Sequence, residues 1–538
     1  MVNITGLEHS MSADSDDTVV DSPFDDPPVL DDGWQPEDDY VDDVIPSNHD
    51  RRTLVLCFDG TGDQFDDDNS NVVQLVSMLK KHDPAHQMVY YQTGIGTSTG
   101  PGAAINAFTR SFWKLADEAI AWSLPHHVQG GYEFLMQNYH SGDKICIFGF
   151  SRGAYTARAL AGMLHKVGLL PPGNHQTIPF AYKMFKREDE RGWKQSTAFK
   201  KAFGIDIDIE FLGVWDTVAS VGFIPRHLPF TTNNTSIKTF RHAISLDEHR
   251  AKFKANHWHN YSPEQEKLGT QPGDMPTSYR RARPQIDEHN SSGDAKHTHK
   301  KKSQGPHSGR GWAKSDVMEV WFAGCHCDIG GGSVSNDTAH SLARIPLRWM
   351  VRQCFLASTG ILFHGKLLER IGLHPDSLYP VVKPRPPPLS VEDSYKIFSR
   401  LQDAQNARDS VSDPDSHPAE MVPGGMDIEF GDLGRMANEE EEDLADSLCP
   451  LYDELVIAKW WWILEVIPFK HREQKHDASW LSTWKINLGH GRHFPQKHLH
   501  TGAKVHRTVK YRMEAVNLLK DGKYTPRVVF DGEPEWVE

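Results

Sequence analysis

The pentapeptide Gly149-Phe150-Ser151-Arg152-Gly153 has the residue types of a strained turn that presents a nucleophile. It follows the apolar run 144–148 and precedes residues 154–167, in which apolar residues recur at helical spacing. A serine between a strand and a helix can expose its hydroxyl, and glycine neighbours leave room for the bend. The pattern predicts a nucleophile elbow at Ser151, with a structural glycine turn as the alternative. The Arg152 amide, at the start of the helix, would donate to a developing oxyanion.

A serine hydroxyl needs a general base, and that base needs a carboxylate to orient it. In the chain order of α/β-hydrolases, the acid and then the histidine follow the serine. Asp216 ends the apolar run 210–215, and His326 lies in a glycine-rich segment just beyond the run 317–322. Because parallel strands end at the same edge of a sheet, we expect Asp216 as the acid and His326 as the base.

Other residues could fill these two roles. Asp328 could replace Asp216 as the orienting acid, and Asp216 could instead be a turn or helix-cap residue. The chain has 30 histidines, and those competing with His326 in less favourable contexts are His242, His249, His257 and His506.

A second oxyanion donor is expected in the segment Asp59-Gly60-Thr61-Gly62, which follows the apolar run 53–58. The amides of Gly60 and Thr61 would serve, although a plain glycine turn is an alternative. The segment also resembles the opening of haloacid-dehalogenase-type phosphatases. Cys57 stands where that family has its nucleophilic aspartate, which disfavours an aspartyl-phosphate mechanism.

A metal site is the remaining chemical alternative for these residue types. It would combine Asp59, Asp63, Asp216, His326 and Asp328, which are suitable ligands for hard metals. No tight ligand spacing supports it, so we expect neither a metal nor a cofactor.

The elements that must position these residues alternate between strands and helices. Apolar runs predict strands near 53–58, 88–91, 144–148, 209–215 and 317–322, and helical patterns lie near 72–79, 105–139 and 154–167. Such alternation predicts an α/β fold of the α/β-hydrolase type, with a mainly parallel sheet and helices on both faces.

Composition divides the chain into segments. Residues 1–50 contain fifteen Asp and Glu residues and no Lys or Arg, which equals the formal net charge of −15 of the whole chain. Such a segment cannot bury enough apolar surface to offset its ordering entropy, so we predict a disordered acidic tail. We assign 51–384 to a catalytic domain with a polar disordered insertion at 262–316. An acidic, proline-rich linker follows at 385–450, and 451–538 is a C-terminal extension of the catalytic domain.

Charge and hydropathy limit the partners. Without an overall basic excess we expect no nucleic-acid partner, and without a secretory signal we expect a cytoplasmic protein with reduced cysteines. The longest apolar stretch, 455–469 with Trp460-Trp461-Trp462, is too short and too charged to span a bilayer. Those tryptophans could lie at a lipid interface or pack on the core, so any membrane contact would be peripheral. The oligomeric state is left open.

Four strings together resemble one family: Phe58 to Thr61, Gly149 to Arg158, Gly213 to Val218 and Trp321 to Gly332. Over about residues 51–355 the chain is similar to the DUF2235 group, whose bacterial members include phospholipase effectors of type VI secretion. The resemblance implies an α/β-hydrolase-like fold and a triad of Ser151, Asp216 and His326. The acidic tail and polar insertion depart from the compact effectors and are more typical of a eukaryotic, fungal member.

We therefore expect a serine hydrolase that cleaves carboxylic esters, with phospholipid or another acyl lipid as the candidate substrate, through an acyl-serine intermediate. The alternative is a non-catalytic interaction protein that retains the hydrolase fold. The two differ in geometry, because an enzyme requires Ser151 and His326 at the same end of the sheet and within reach of each other.

Overall fold

Continuous apolar runs form several of the main strands of this chain, and their side chains are buried on both faces of a sheet. The computed structural model describes residues 43–47, 51–60, 63, 65–94, 110–218, 228–259, 267–271, 274–275, 314–389, 396, 399, 438–474, 480–495, 502–515, 522–528, 530 and 533–538. The strands of these residues are β1 (Val44–Ile45), β2 (Thr53–Phe58), β3 (Gln87–Gln92), β4 (Lys144–Phe150), β5 (Ile209–Trp215), β6 (Ile237–Ser245), β7 (Asp316–Phe322), β8 (Phe363–His364), β9 (Phe469–Gln474), β10 (Trp480–Lys485), β11 (Lys504–His506) and β12 (Glu535–Val537).

Eight of the described strands form one sheet in the order β12-β11-β7-β6-β5-β4-β2-β3. Every neighbouring pair in it is parallel. Alternate residues of β2 enter different cores, Leu54 and Leu56 on one face and Val55 and Cys57 on the other. Two apolar faces require helices on both sides of the sheet.

The described helices supply that cover. They are α1 (Asn71–Met78), α2 (Arg110–Asn138), α3 (Ser151–Val167), α4 (Ile178–Lys186), α5 (Glu190–Phe203), α6 (His326–Gly330), α7 (Arg344–Leu356), α8 (Gly365–Glu369), α9 (Glu439–Ser447), α10 (Glu454–Ile457), α11 (Trp462–Glu465) and α12 (Thr508–Glu514). Helices α2 to α5 add to the core on one face, and α1, α7 and α8 add to the core on the other. The predicted α/β class, a parallel sheet covered on both faces, is confirmed.

Strand β6, between β5 and β7, is absent from the sequence-based prediction. Its polar residues hide the apolar pattern, yet they are buried and paired. Arg241 Nε donates to Gln353 Oε1 at 2.7 Å, and Arg241 Nη2 donates to Asp316 Oδ2 at 2.6 Å. His242 Nδ1 lies 3.1 Å from Glu319 Oε1. A buried central strand can therefore be polar when each group has a partner.

The acidic run 439–443, assigned above to a linker, instead begins the packed helix α9. Within it, Glu440, Asp443 and Asp446 are almost completely buried. Arg348, Arg385 and Arg507 balance their charges, and Arg352 pairs with Glu439 of the same helix. Composition alone predicts solvated acids, whereas buried acids with such partners hold a helix in place.

The remaining segment predictions are only partly covered by the described residues. Of the predicted tail, 43–47 contribute β1, which pairs with β8, and 1–42 lie outside the described residues. Most of the insertion at 262–316 and residues 401–437 of the linker also lie outside them. Residues beyond 451 add two strands to the eight-stranded sheet, because β11 pairs with β7 and β12 pairs with β11.

The apolar stretch 455–469 forms short turns of helix rather than one long helix. Trp461 is buried, whereas Trp460 and Trp462 are exposed. Among the described residues, no helix is both long and apolar enough to cross a membrane. All six cysteines are free thiols.

Candidate active site

Ser151 lies at the junction of β4 and α3, in the conformation expected of a nucleophile elbow. Its φ of 56° falls in the left-handed region that residues other than glycine rarely adopt. A Cβ atom at Gly149 would lie 2.6 Å from the carbonyl oxygen of Gly153, and one at Gly153 would lie 2.2 Å from that of Asp59. Only glycine fits at these two positions, which lets α3 begin directly against the carboxyl end of β2.

Three of the predicted side chains form one hydrogen-bonded series. Ser151 Oγ lies 2.8 Å from His326 Nε2, and His326 Nδ1 lies 2.5 Å from Asp216 Oδ2. The carboxylate accepts the Nδ1 proton, which leaves Nε2 free to accept the proton of the serine hydroxyl. The structure thus brings together residues that follow β4, β5 and β7, and all three are buried.

Asp216 directly follows β5 and is completely buried. Arg492 Nη1 lies 2.5 Å from its Oδ1 and Arg492 Nη2 lies 2.8 Å from its Oδ2, and the Ser245 amide donates to Oδ1 at 3.0 Å. Burial alone would raise the pKa of this carboxyl group. The charge of Arg492 and the hydrogen bonds from His326 and Arg492 outweigh burial and hold the pKa of Asp216 well below its usual value. Asp216 is therefore ionised at neutral pH.

Arg492 belongs to the C-terminal extension and is the main site residue that sequence analysis missed. Besides Asp216, it contacts two backbone carbonyl groups. Its Nε donates to Phe253 O at 3.0 Å, and its Nη1 donates to Ser245 O at 3.2 Å. Arg492 lies among other basic residues and histidines and belongs to no recognisable sequence motif, so its pairing with Asp216 is visible only in the fold.

The ring of His326 is enclosed by aromatic side chains. Ring centroids of Phe150 and Phe253 lie 4.7 and 4.8 Å from that of His326. The His326 amide donates to Glu248 Oε2 at 3.3 Å, and Glu248 pairs with Arg250 at 2.8 Å. Burial lowers the pKa of His326, although Asp216 opposes this effect. The imidazole is therefore neutral at pH 7 and able to accept a proton.

The predicted oxyanion donors have different surroundings. Arg152 follows Ser151 in the first turn of α3, where backbone amides point toward the site. The Gly60 amide already donates to Asp59 Oδ1 at 2.8 Å, so it would have to release that carboxylate before binding an oxyanion. Thr61 lies outside the described residues.

Asp328 and the competing histidines lie in other hydrogen-bond networks. The Asp328 carboxylate accepts from the amides of Cys325 at 2.8 Å and Tyr452 at 3.1 Å, so it ties two loops together. Burial raises its pKa to about 7. The histidines contact acidic or hydroxyl groups elsewhere, His242 and His257 near Glu319, His249 at Asp453 and His506 at Thr508.

Four of the five alternative metal ligands, namely Asp59, Asp216, His326 and Asp328, are engaged with protein groups. Asp59 accepts from Ser70 Oγ at 2.6 Å and from Tyr91 OH at 2.7 Å, while Asp216 is held by Arg492. Within the described part of the chain, the one close group of potential ligands is His340, Glu442 and Asp446. Asp446 is ion-paired with Arg348 at 2.6 Å, so this group is part of the ionic network of α9.

A parallel sheet covered by helices, with a serine elbow facing a histidine and an aspartate at the strand ends, defines an α/β-hydrolase-like protein. Residues 52–353 match the family model described as "T6SS, Phospholipase effector Tle1-like, catalytic domain". This match spans more than half of the chain, and the chain belongs to this Tle1-like family, which confirms the DUF2235 resemblance.

The individual proteins and solved structures that resemble this chain have low sequence identity to it. An uncharacterized protein, YEL023C of the yeast Saccharomyces cerevisiae, is 26% identical over 580 residues, which covers 92% of this chain and 82% of the yeast protein. A solved structure of an uncharacterized Pseudomonas aeruginosa protein has 14% identity and a TM-score of 0.34, covering 79% of this chain and 69% of its own. The structure of the Tle1 effector bound to the VgrG spike of the type 6 secretion system has 16% identity and a TM-score of 0.25, covering 54% and 53%.

Proposed function

We propose that this chain is a serine hydrolase that cleaves carboxylic esters of lipids through an acyl-serine intermediate. The observation that carries the proposal is the series of hydrogen bonds from Ser151 Oγ through His326 to Asp216. The positive φ of Ser151 supports it, because such strain costs about 1 kcal/mol or more and is concentrated at functional sites. The series also argues against a non-catalytic interaction protein, which has no need of a base beside the serine.

In the first half of the reaction, Ser151 Oγ attacks the ester carbonyl carbon while His326 Nε2 takes its proton. Asp216 holds the imidazole in the required tautomer and stabilises the imidazolium. The carbonyl electron pair moves to the oxygen, which the Arg152 amide and the amino end of α3 stabilise. Collapse of this intermediate expels the alcohol, which leaves with the proton from Nε2, and the acyl group stays on Ser151.

In the second half, water replaces the alcohol. His326 Nε2 takes a proton from the water as its oxygen attacks the acyl-serine carbonyl, and the same donors stabilise the new oxyanion. The Ser151 oxygen then leaves with the proton from Nε2, and the carboxylic acid is released. The site returns to its starting protonation state, so neither a cofactor nor a metal is needed for balance.

A lipid substrate is supported by the family and by the lining of the site. The matched family domain is described as that of a phospholipase effector, and phospholipids carry fatty acyl esters. Phe150 and Phe253 flank the His326 ring and make the surroundings of the reacting groups apolar, which suits a substrate with an acyl chain.

Hydrolysis of a short and a long p-nitrophenyl acyl ester and of a phospholipid tests the proposal. We expect the wild-type chain to hydrolyse them and Ser151→Ala to lose the activity by at least about 1000-fold. Ser77→Ala, at an exposed serine on α1, is the matched control and should keep full activity. A fluorophosphonate probe should label the wild type but not Ser151→Ala. A folded wild type with neither hydrolysis nor labelling would overturn the proposal in favour of an interaction protein.

A further inference from the structure

The largest concentration of exposed apolar side chains lies in the C-terminal extension, in 456–466 and 481–488, which we call the tryptophan face. Ten large apolar side chains are exposed there: Val456, Ile457, Trp460, Trp462, Ile463, Val466, Leu481, Trp484, Ile486 and Leu488. Trp484 is 70% exposed and Ile463 is 62% exposed. The other described segments together contribute seven, scattered from Phe65 to Trp536. A dense patch of this kind marks an interaction surface.

The two segments of the tryptophan face are fixed side by side. The Leu488 amide donates to Glu465 O at 3.0 Å. The Trp462 ring packs against Gly489, so closely that a Cβ atom on Gly489 would lie 3.0 Å from the ring. The buried Glu465 carboxylate accepts from Asn487 Nδ2 at 2.6 Å and from the Gly489 amide at 2.9 Å. Where residues 462–465 meet residues 487–489, the face is therefore preformed.

The charged side chains exposed around the tryptophan face are positive. Exposed lysines border the apolar side chains, namely Lys459, Lys470 and Lys485. Within 456–470 and 481–490 the only acidic residue is Glu465, which is completely buried. Tryptophan and lysine around aliphatic side chains are typical of surfaces that bind at the boundary of an anionic bilayer.

The tryptophan face is connected to the candidate active site by a series of packed aromatic rings. Exposed Trp460 stacks on Trp461 with ring centroids 4.3 Å apart, and Trp461 packs edge-on against Phe253 at 5.5 Å. Phe253 in turn contacts His326. The Glu465 carboxylate accepts from the Ala251 amide at 2.6 Å, so the face is fastened to the loop that carries Phe253.

We propose that the tryptophan face docks this protein on the surface of an anionic phospholipid bilayer. The inference deepens the proposed function and rests on it, because docking would hold the candidate active site close to a bilayer that contains lipid esters. The tryptophans would lie at the level of the headgroups, the aliphatic side chains would enter the acyl boundary, and the lysines would contact anionic headgroups.

Vesicle binding by full-length Ser151→Ala protein tests docking without hydrolysis. The bound fraction is measured by flotation with phosphatidylcholine vesicles that contain or lack phosphatidylserine. We expect stronger binding to the anionic vesicles, and about tenfold weaker binding to them after Trp484→Ser combined with Ile463→Ser. Lys459→Gln and Lys470→Gln should each reduce the preference for anionic vesicles by about fivefold.

Exposed apolar residues outside the face provide matched controls. Phe203→Ser and Leu356→Ser remove side chains that are 58% and 55% exposed, and both variants should bind vesicles as Ser151→Ala alone does. In the background with Ser151 intact, the Trp484→Ser, Ile463→Ser variant should hydrolyse a water-soluble p-nitrophenyl ester at the wild-type rate but lose activity on vesicles. This result separates docking from chemistry and from folding.

Three results would overturn the docking proposal: no flotation of Ser151→Ala with anionic vesicles, equal flotation of the face variant, or a dimer in sedimentation that the face substitutions convert to monomer. The last would assign the face to self-association. Failure of the proposed function looks different, because wild-type protein would then bind vesicles yet hydrolyse neither soluble nor vesicle-borne esters.

Discussion

Replacement of Arg492 is the sharpest test of how the C-terminal extension serves the candidate active site. Arg492→Met removes the guanidinium but keeps a long side chain in its place, whereas Arg492→Lys keeps the charge and loses the forked geometry. In the structure the guanidinium contacts both oxygens of Asp216 and two backbone carbonyl groups. We treat Arg492 as a positioning residue, because it acts on the histidine through Asp216.

The cost in stability follows from the burial of Asp216. Two unit charges about 4 Å apart interact by about 4 kcal/mol at an effective dielectric constant of 20. Removing one member of a buried pair leaves the other charge uncompensated and costs about 3–5 kcal/mol. Because Asp216 keeps the His326 ring and the Ser245 amide, we expect Arg492→Met to lower the free energy of unfolding by about 3 kcal/mol. Arg492→Lys should lose less.

The effect on pH dependence has a definite sign. Arg492 shares the charge of Asp216, which leaves less of it to stabilise protonated His326. Loss of the guanidinium therefore raises the pKa of His326, and the acid limb of kcat/KM, which requires neutral His326, moves to higher pH by about one unit. Glu248 and Arg250, the other charged groups near the ring, are the same in every variant and cancel in the comparison.

The assay is kcat/KM for a soluble p-nitrophenyl ester from about pH 5 to pH 9, with urea unfolding of each variant beside it. We expect kcat to fall in Arg492→Met with little change in KM, and Arg492→Lys to recover part of kcat and most of the pH profile. If folded Arg492→Met kept the wild-type acid limb, or moved it to lower pH, the argument that Arg492 tunes His326 through Asp216 would be refuted.

Three further predictions concern the surroundings of the site. Asp328→Asn should leave kcat/KM unchanged. Burial raises the pKa of Asp328 to about 7 in the folded protein, against about 3.9 in the unfolded chain, so the stability that this group contributes is present at low pH and is lost as the pH rises through 7. In urea unfolding, the variant should therefore lose less stability than the wild type between about pH 5 and 8. Equal pH dependence in both proteins would contradict this. Arg348→Met should lower the free energy of unfolding by about 3 kcal/mol, because Asp446 then keeps only His340 and Asp443 keeps only Arg385 as a charged partner. Lys194→Met, at an exposed ion pair, should leave the free energy of unfolding nearly unchanged. Similar urea midpoints for the two variants would argue against a stabilising network. Gly153→Ala should reduce ester hydrolysis by about 100-fold, because its methyl group would meet Asp59 O and push α3 from β2, and wild-type kinetics would show that the elbow tolerates this shift.

Local chemistry explains why much of the site could be predicted from the sequence. The glycines around Ser151 are required by contacts within a few residues of the elbow, so their pattern is visible in the chain itself. Asp216 and His326 follow apolar strands, and parallel strands that end at one sheet edge bring such residues together. The prediction needed only the order of elements.

Long-range pairing explains what could not be predicted. Strand β6 was not predicted because its sequence contains polar residues. The partners that allow Arg241 and His242 to be buried lie on β7 and α7, far along the chain. The composition of α9 predicts a solvated linker, because the arginines that pair with its acids come from three other places in the chain: α7, Arg385 and Arg507. A charged residue carries no mark of its future partner, so composition assigns it to solvent unless the fold is known.

Long-range contacts also join the segment that matches the family model to the C-terminal extension. The family match stops at residue 353, yet Asp216 is neutralised by Arg492, and His326 is enclosed by Phe253, which Trp461 supports from behind. The last strands of the sheet, β11 and β12, also lie beyond the match, and Val505 packs with Trp321 in a separate core. Without the extension, Asp216 would be a buried carboxylate without the charge of Arg492, and β7 would keep β6 but lose β11 as a neighbour. Residues of the extension therefore complete the hydrogen bonds around Asp216 and the edge of the sheet, so the surroundings of the candidate site are not confined to the segment that matches the family model.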